Sequence, residues 1–337
     1  MRPLLCFLVI VLGYFPLSAQ DTIPTPNPYD VLDARARAVR YDGHIERLVS
    51  ALTASCQTEI EKARALFIWV TENTAYDYEA YNRRAEPDRF KCDDAYDCRE
   101  KQAKYERDRA KKVLETGKDV CEGYALLYKE LCGLAGIRCS LVRGYTKNRP
   151  TQIGRMGVLD HVWNVLRIED RYLWVDCTWA AGYCPEDEEG KLTGFVKSFR
   201  ETYWIPPAWR FFRDHFPEDE KWLEDSGVTK EDYRNGPYYY PLLSPSIEVV
   251  SPATGIIVAR LGETVSFRIR TGDYPVDDVE VNADPSYWGS YDRDGLPYEE
   301  TDSGIVCCFR IDNPRTRFID LYINGIPATR FLVRLQK

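Results

Sequence analysis

The 337-residue sequence predicts an α+β core, in which a helix bearing a cysteine packs on an antiparallel sheet, followed by a small all-β sandwich. Three observations carry this. Apolar Tyr124, Leu127, Tyr128, Leu131, Leu134 and Ala135 recur at helical spacing directly after Cys121, and Gly136 supplies a stop. Beyond Gly136 the period changes, and the segments Cys139 to Gly144, Val162 to Ile168 and Arg171 to Cys177 are rich in Val, Leu, Trp and Tyr, as strands are. Past residue 241 short alternating patterns take over, with Val265, Phe267 and Ile269 in one run and Ile319, Leu321 and Ile323 in another. That second run ends at Asn324-Gly325, a strong hairpin signal.

Taken in order, residues 1–19 read as a secretory signal: Arg2, an apolar run from Leu4 to Leu17, then Ser18-Ala19. The run is too short, and too interrupted by Gly13 and Pro16, to suit a membrane anchor. Pro24, Pro26 and Pro28 then space an extended tether. A helical region is expected from Asp30 to Ala54. A second helix follows, marked by the Thr58/Glu61 capping box ahead of Ile60, Ala63, Phe67 and Val70, and it is expected to pack on the Cys121 helix. From Glu86 to Lys112 charge crowds the sequence without a sustained apolar stripe, which predicts a surface insertion with a solvated face.

Between the last two predicted strands lies Glu169-Asp170, short enough for a tight hairpin. If those two residues form the loop, Ile168 opposes Arg171, His161 opposes Thr178, and His161 and Asp176 become diagonal neighbours on one face. A carboxylate can reach an imidazole from there. The stretch from Phe195 to Trp222 holds Trp204, Trp209, Phe211, Phe212, His215, Phe216 and Trp222. Most of these rings are expected as packed core, with a minority available to line a groove. His215 beside Asp214 reads as structural, because His161 has the better-placed partner. The run Gly236 to Pro241, with Ser244-Pro245, predicts a linker.

A composition of 44% hydrophobic and 29% charged residues is that of an ordinary globular chain, and a net charge of -8 argues against nucleic acid as a partner. Eleven cysteines in an exported chain allow disulfides. Cys92 with Cys98, and Cys177 with Cys184, are candidate pairs on proximity alone. The cysteine spacings match no zinc motif and only three histidines exist, so neither a metal nor a cofactor is expected. In the β region Cys307 and Cys308 point to opposite strand faces, so at most one suits a core.

A cysteine at a helix start feels the positive end of the helix dipole, which favours a thiolate. Most single cysteines merely fill a core; three residues acting together change that reading. Cys121 as nucleophile, His161 as general base and Asp176 as the acid fixing the histidine tautomer make the set that amide chemistry requires. The Cys121 N–H is the expected first oxyanion donor.

The motifs resemble the transglutaminase-like superfamily, and within it the kyphoscoliosis-peptidase-like branch. The matching residues are Trp69 with Asn73-Thr74-Ala75-Tyr76-Asp77, then Val120-Cys121-Glu122-Gly123-Tyr124-Ala125 and Leu131 to Ile137, with Gly144-Tyr145. His161-Val162-Trp163-Asn164, Asp176-Cys177-Thr178-Trp179 and His215 to Asp219 with Trp222 complete them. The resemblance implies a papain-like α+β fold and assigns Cys121, His161 and Asp176 their roles. It covers about residues 55 to 225; together with the pattern breaks above, the chain divides into a signal (1–19), a tether with helices (20–54), a transglutaminase-like domain (55–240) and an immunoglobulin-like sandwich (241–337). Asp119 stands where the family commonly has glycine. A carboxylate aimed inward there would oppose a thiolate, and Asp119 is expected to face solvent. The expectation is an exported cysteine acyl-transfer enzyme acting on a protein or peptide substrate, with hydrolysis favoured over transamidation. Its rival is an extracellular protein-binding module in which the triad is a relic.

Overall fold

A computed structural model describes residues 27–83, 91–223, 226–283 and 293–336, so the expected signal at 1–19 lies outside the described residues. The single helical region expected from Asp30 to Ala54 is two helices, α1 (Asp30–Ala38) and α2 (Ile45–Thr53). Gly43 between them has φ 93°, a left-handed conformation that ends helical continuity. α3 (Glu59–Asn73) starts with the expected capping box: the Thr58 hydroxyl accepts from the Glu61 N–H, and the Glu61 carboxylate accepts from the Thr58 N–H. Ala63 to Thr71 are buried on every face, which makes α3 the central helix. Arg64, with no exposure, donates to Asp33 at 2.6 and 2.9 Å and to Glu201 at 2.7 Å, fastening α3 to α1 and to the later chain.

After α3, β1 (Ala75–Tyr76) runs parallel to β2 (Lys118–Asp119), with the short α4 (Tyr78–Asn82) between them. The charged stretch expected as a surface insertion is largely the 22-residue helix α5 (Ala95–Thr116). It buries only Ala110 and Val113, so an apolar stripe could not announce it. Local terms hold it instead. The Asp94 side chain accepts from the N–H groups of Tyr96 and Asp97, Gly117 closes it at φ 68°, and ion pairs four residues apart line its surface.

α6 (Cys121–Leu134) packs on α3 as expected, the Tyr128 hydroxyl donating to the Ala63 carbonyl at 3.1 Å and the Tyr124 hydroxyl to Thr74 at 2.8 Å. On its other side lies an antiparallel sheet of β3 (Arg138–Thr146), β4 (Leu159–Ile168) and β5 (Arg171–Val175). Two short strands, β6 (Gly182–Tyr183) and β7 (Val196–Lys197), pair with each other, and β8 (His215–Pro217) joins the edge of the core sheet, whose order is β5-β4-β3-β8. Asn164 is fully buried and donates to the Ala125 carbonyl at 3.0 Å, tying β4 to α6.

The hairpin has the predicted register, with Ile168 opposite Arg171 and Asn164 opposite Val175. Glu169 and Asp170 both have positive φ, as a type I′ turn demands. The expected opposition of His161 and Thr178 does not form, because β5 stops at Val175. Asp176 instead caps α7 (Cys177–Ala181), its Oδ1 accepting from the N–H groups of Thr178 and Trp179.

Cys92 and Cys98 are disulfide-bonded, whereas Cys177 and Cys184 are both free thiols. Burial of Cys177 within α7 takes it out of that expected pairing.

The C-terminal part has its own apolar cluster between two sheets, including Phe267, Ile269, Ile319, Leu321 and Phe331. Cys307 faces this cluster and Cys308 faces solvent. The expected linker is not a free tether: Tyr238 and Tyr239 pair with Arg330 and Thr329 as an added strand of the sandwich.

Candidate active site

Cys121 is the first residue of α6, half-buried, with its sulfur free. Two glycines allow close packing among the elements that carry the site. A Cβ on Gly123 would lie 2.3 Å from the Asp119 side chain. Gly144 pairs with His161 across β3 and β4, and a Cβ there would lie 2.2 Å from the Trp163 ring and 2.3 Å from the Phe216 carbonyl.

Asp119 does not face solvent as expected. It is 7% exposed and accepts a bidentate pair from Arg109 of α5, at 3.0 and 2.8 Å. The same guanidinium lies 3.1 Å from Glu122, which also accepts from Arg143 at 2.7 Å. Both carboxylates beside Cys121 are therefore matched by arginine, and the bidentate form fixes Asp119 in place. The charged stretch read as a solvated face supplies this clamp.

His161 and Asp176 meet as the hairpin register implied, Nε2 lying 2.8 Å from Asp176 Oδ2. That contact leaves Nδ1 as the ring nitrogen for Cys121, whose side chain interacts with the imidazole. Burial alone would lower the His161 pKa. The charge and hydrogen bond of Asp176, and then Cys121, outweigh it and leave His161 well above its ordinary value. Asp176 is fully buried, which would raise it, yet the two neighbouring imidazoles hold it well below the usual carboxylate range.

The second imidazole is His215, which sequence reasoning set aside as structural. Its Nε2 lies 3.1 Å from the same Asp176 Oδ2, and its Nδ1 lies 2.5 Å from Asp214 Oδ1. The local signals were its neighbour Asp214 and the His215 to Asp219 motif, but neither places it against Asp176, because β8 reaches the site only through pairing with β3. Tyr76 was also passed over. It lines the same cavity as His161, and burial, then the charge of Cys121, push its phenol up, so it stays a hydroxyl.

A cavity of about 410 Å³ opens on the site, with Tyr76, His161, Trp179, Tyr203, Arg213 and Tyr239 among its walls. Part of the aromatic stretch, including Tyr203 and Phe211, thus lines a groove while Trp204 and Phe212 fill the core. Among the described residues the set best disposed to hold a metal is His161, Asp176 and His215, with ligand atoms within 4.8 Å. The 2.8 and 3.1 Å separations are hydrogen-bond lengths, and we assign the set as a hydrogen-bonded network.

The helix, the sheet and this row of side chains define a transglutaminase-like core with a triad-like cysteine, histidine and aspartate. Residues 46–179 match the family model of the transglutaminase-like superfamily. The chain is 31% identical over 196 residues to the kyphoscoliosis peptidase of Mus musculus, covering 58% of this chain and 26% of the relative. It is 26% identical over 201 residues to Hillarin of Drosophila melanogaster, covering 57% of this chain and 22% of that protein. A solved transglutaminase aligns over 55% of this chain and 38% of its own, at 16% identity and a TM-score of 0.28. Residues 46–179 thus carry the transglutaminase-like match, and the chain is similar there to the kyphoscoliosis peptidases. The matched part spans about a quarter of the length of those two curated relatives.

Proposed function

We propose that the protein is an exported cysteine acyl-transfer enzyme that cleaves peptide or side-chain amides through Cys121, His161 and Asp176. The observation that carries this is the Nε2 contact of His161 with Asp176, which leaves Nδ1 for the thiol. The Cys121 proton passes to Nδ1, and the sulfur attacks the amide carbon to form a C–S bond. As the C–N bond breaks, the amine leaves with the proton from Nδ1, and a thioester remains. Water then gives a proton to Nδ1 and attacks the thioester; the C–S bond breaks and Cys121 regains its proton. The Cys121 N–H and the Tyr76 hydroxyl are the donors assigned to the oxyanion.

Hydrolysis is favoured over transfer to a lysine amine on the name of the curated relative, a peptidase. Export is supported by the pattern of residues 1–19 and by the Cys92–Cys98 disulfide, which suits an oxidising compartment. Among the described residues no helix is long and apolar enough to cross a membrane. The substrate is a protein or peptide chain that enters the aromatic-walled cavity.

Mass spectrometry after incubation with a peptide library containing glutamine and lysine tests this reading. Wild type should give cleaved or deamidated products that Cys121→Ala does not. Cross-linked peptides would replace hydrolysis by transamidation, and identical products from both proteins would remove Cys121 from the chemistry.

A further inference from the structure

We propose that His215 is a positioning residue of this site, an imidazolium held between Asp176 and Asp214 that braces the Asp176 carboxylate against His161. The family model matches residues 46–179 and so does not reach His215, which the resemblance includes only as part of the His215 to Asp219 motif, with no role attached. The inference rests on the triad reading for its effect on Cys121, but the charge state of His215 stands on geometry alone.

Both ring nitrogens of His215 face carboxylate oxygens, Nδ1 toward Asp214 at 2.5 Å and Nε2 toward Asp176 at 3.1 Å. An ionised carboxylate only accepts, so both nitrogens must carry protons and the ring is a cation. The ring has no exposure, and Phe211 stacks on it with centroids 4.3 Å apart and planes 15° apart. Trp179 and Trp163 close its other sides at 4.6 and 5.0 Å. It cannot turn away without opening this aromatic cage.

Asp176 has no spare oxygen. Oδ1 takes two backbone N–H groups of α7, and Oδ2 takes His161 and His215 together. The cation thus does two things. It fixes the lone-pair direction that sets the His161 tautomer, and it competes with His161 for the charge of Asp176. With Asp176 shared, His161 gives up its proton at lower pH than it would if it had the carboxylate alone. The charged and titratable groups around His215 are Asp176, Asp214, His161 and Asp160. The Tyr203 hydroxyl and Lys147 face Asp214 from behind.

The sequence holds three histidines, so nitrogen NMR of the full chain labelled at histidine resolves them all. Wild type should show His215 with both ring nitrogens protonated from pH 6 to pH 8, and Asp214→Asn should turn it into a neutral tautomer. In parallel, the pH profile of Cys121 alkylation is followed in wild type, His215→Gln and Asp214→Asn. The glutamine amide can still donate to Asp176 but carries no charge. The upper limb of the profile should therefore move up by about half a pH unit or more in both variants, while His215→Ala should lose reactivity that His215→Gln keeps. A neutral His215 in wild type at pH 7 overturns the proposal. So does an unchanged alkylation profile in Asp214→Asn, a variant that keeps the buried ring and needs no repacking. An unreactive Cys121 in wild type would instead sink the triad reading, and the NMR result would still decide the state of His215.

Discussion

Asp176 Oδ1 is taken by the backbone of α7 and Oδ2 by two imidazoles, so the carboxylate is fixed in direction as well as in charge. Asp176→Asn keeps the size but offers an N–H where His161 needs an acceptor. Amide turnover should fall about 10⁴-fold through the wrong tautomer; unchanged kinetics would remove Asp176 from the site. Tyr76→Phe should cost about 10²-fold in kcat, as loss of one oxyanion donor does, with the alkylation rate of Cys121 unaltered. Equal losses in both measurements would show that Tyr76 shapes the thiol rather than the oxyanion. The titrations of the two histidines carry a stability consequence. His161 and His215 are raised in the folded protein, so they bind protons there that the unfolded chain releases above about pH 6.5. Their stabilisation is fully present below that value and is lost as pH rises through their folded-state values. Asp176 acts in the opposite sense, its contribution present above about pH 3.9 and lost on acidification through its depressed value. In urea unfolding, the stability gap between wild type and His215→Gln should therefore narrow from pH 6 to pH 9. A gap that widens would contradict the raised His215.

α5 is the element whose role differs most from what its sequence suggested. Its charges do mostly face solvent, but Arg109 turns inward and takes Asp119 and approaches Glu122 at the mouth of α6. Removing one partner of such a nearly buried pair leaves an uncompensated charge, so Arg109→Met should cost about 3 kcal/mol and slow alkylation of Cys121. Arg109→Met combined with Asp119→Asn should recover most of the stability, because the neutral side chain keeps an acceptor for the Val120 N–H. A double variant no better than the single one would mean that the loss comes from packing of Arg109. The helix itself was legible only through Asp94, Gly117 and its four-apart ion pairs, since two buried residues make no stripe. The capping box of α3 and the apolar stripe of α6 were legible because local chemistry and burial agree there. The inward turn of Asp119 was not, because its partner arrives ten residues away on another element.

For the molecule as a whole, the hairpin register located His161 against Asp176 from sequence because a two-residue turn fixes pairing arithmetically. His215 escaped that logic: it comes from a strand that docks at the opposite edge of the sheet, next to β3. The C-terminal sandwich was readable from strand alternation. Its reach toward the site was not, since Tyr238 and Tyr239 look like linker and are both sheet edge and cavity wall. Residues of the core domain and the stretch from Tyr238 to Pro245 thus line one cavity, to which the triad contributes His161. The most direct test of an activated Cys121 uses the exposed Cys308 as an internal reference. At pH 6 the native protein is treated with substoichiometric iodoacetamide and mapped by peptide mass spectrometry. Cys121 should be alkylated well ahead of Cys308, with the preference lost in His161→Ala. Labelling of Cys308 ahead of Cys121 would contradict a thiolate paired with His161.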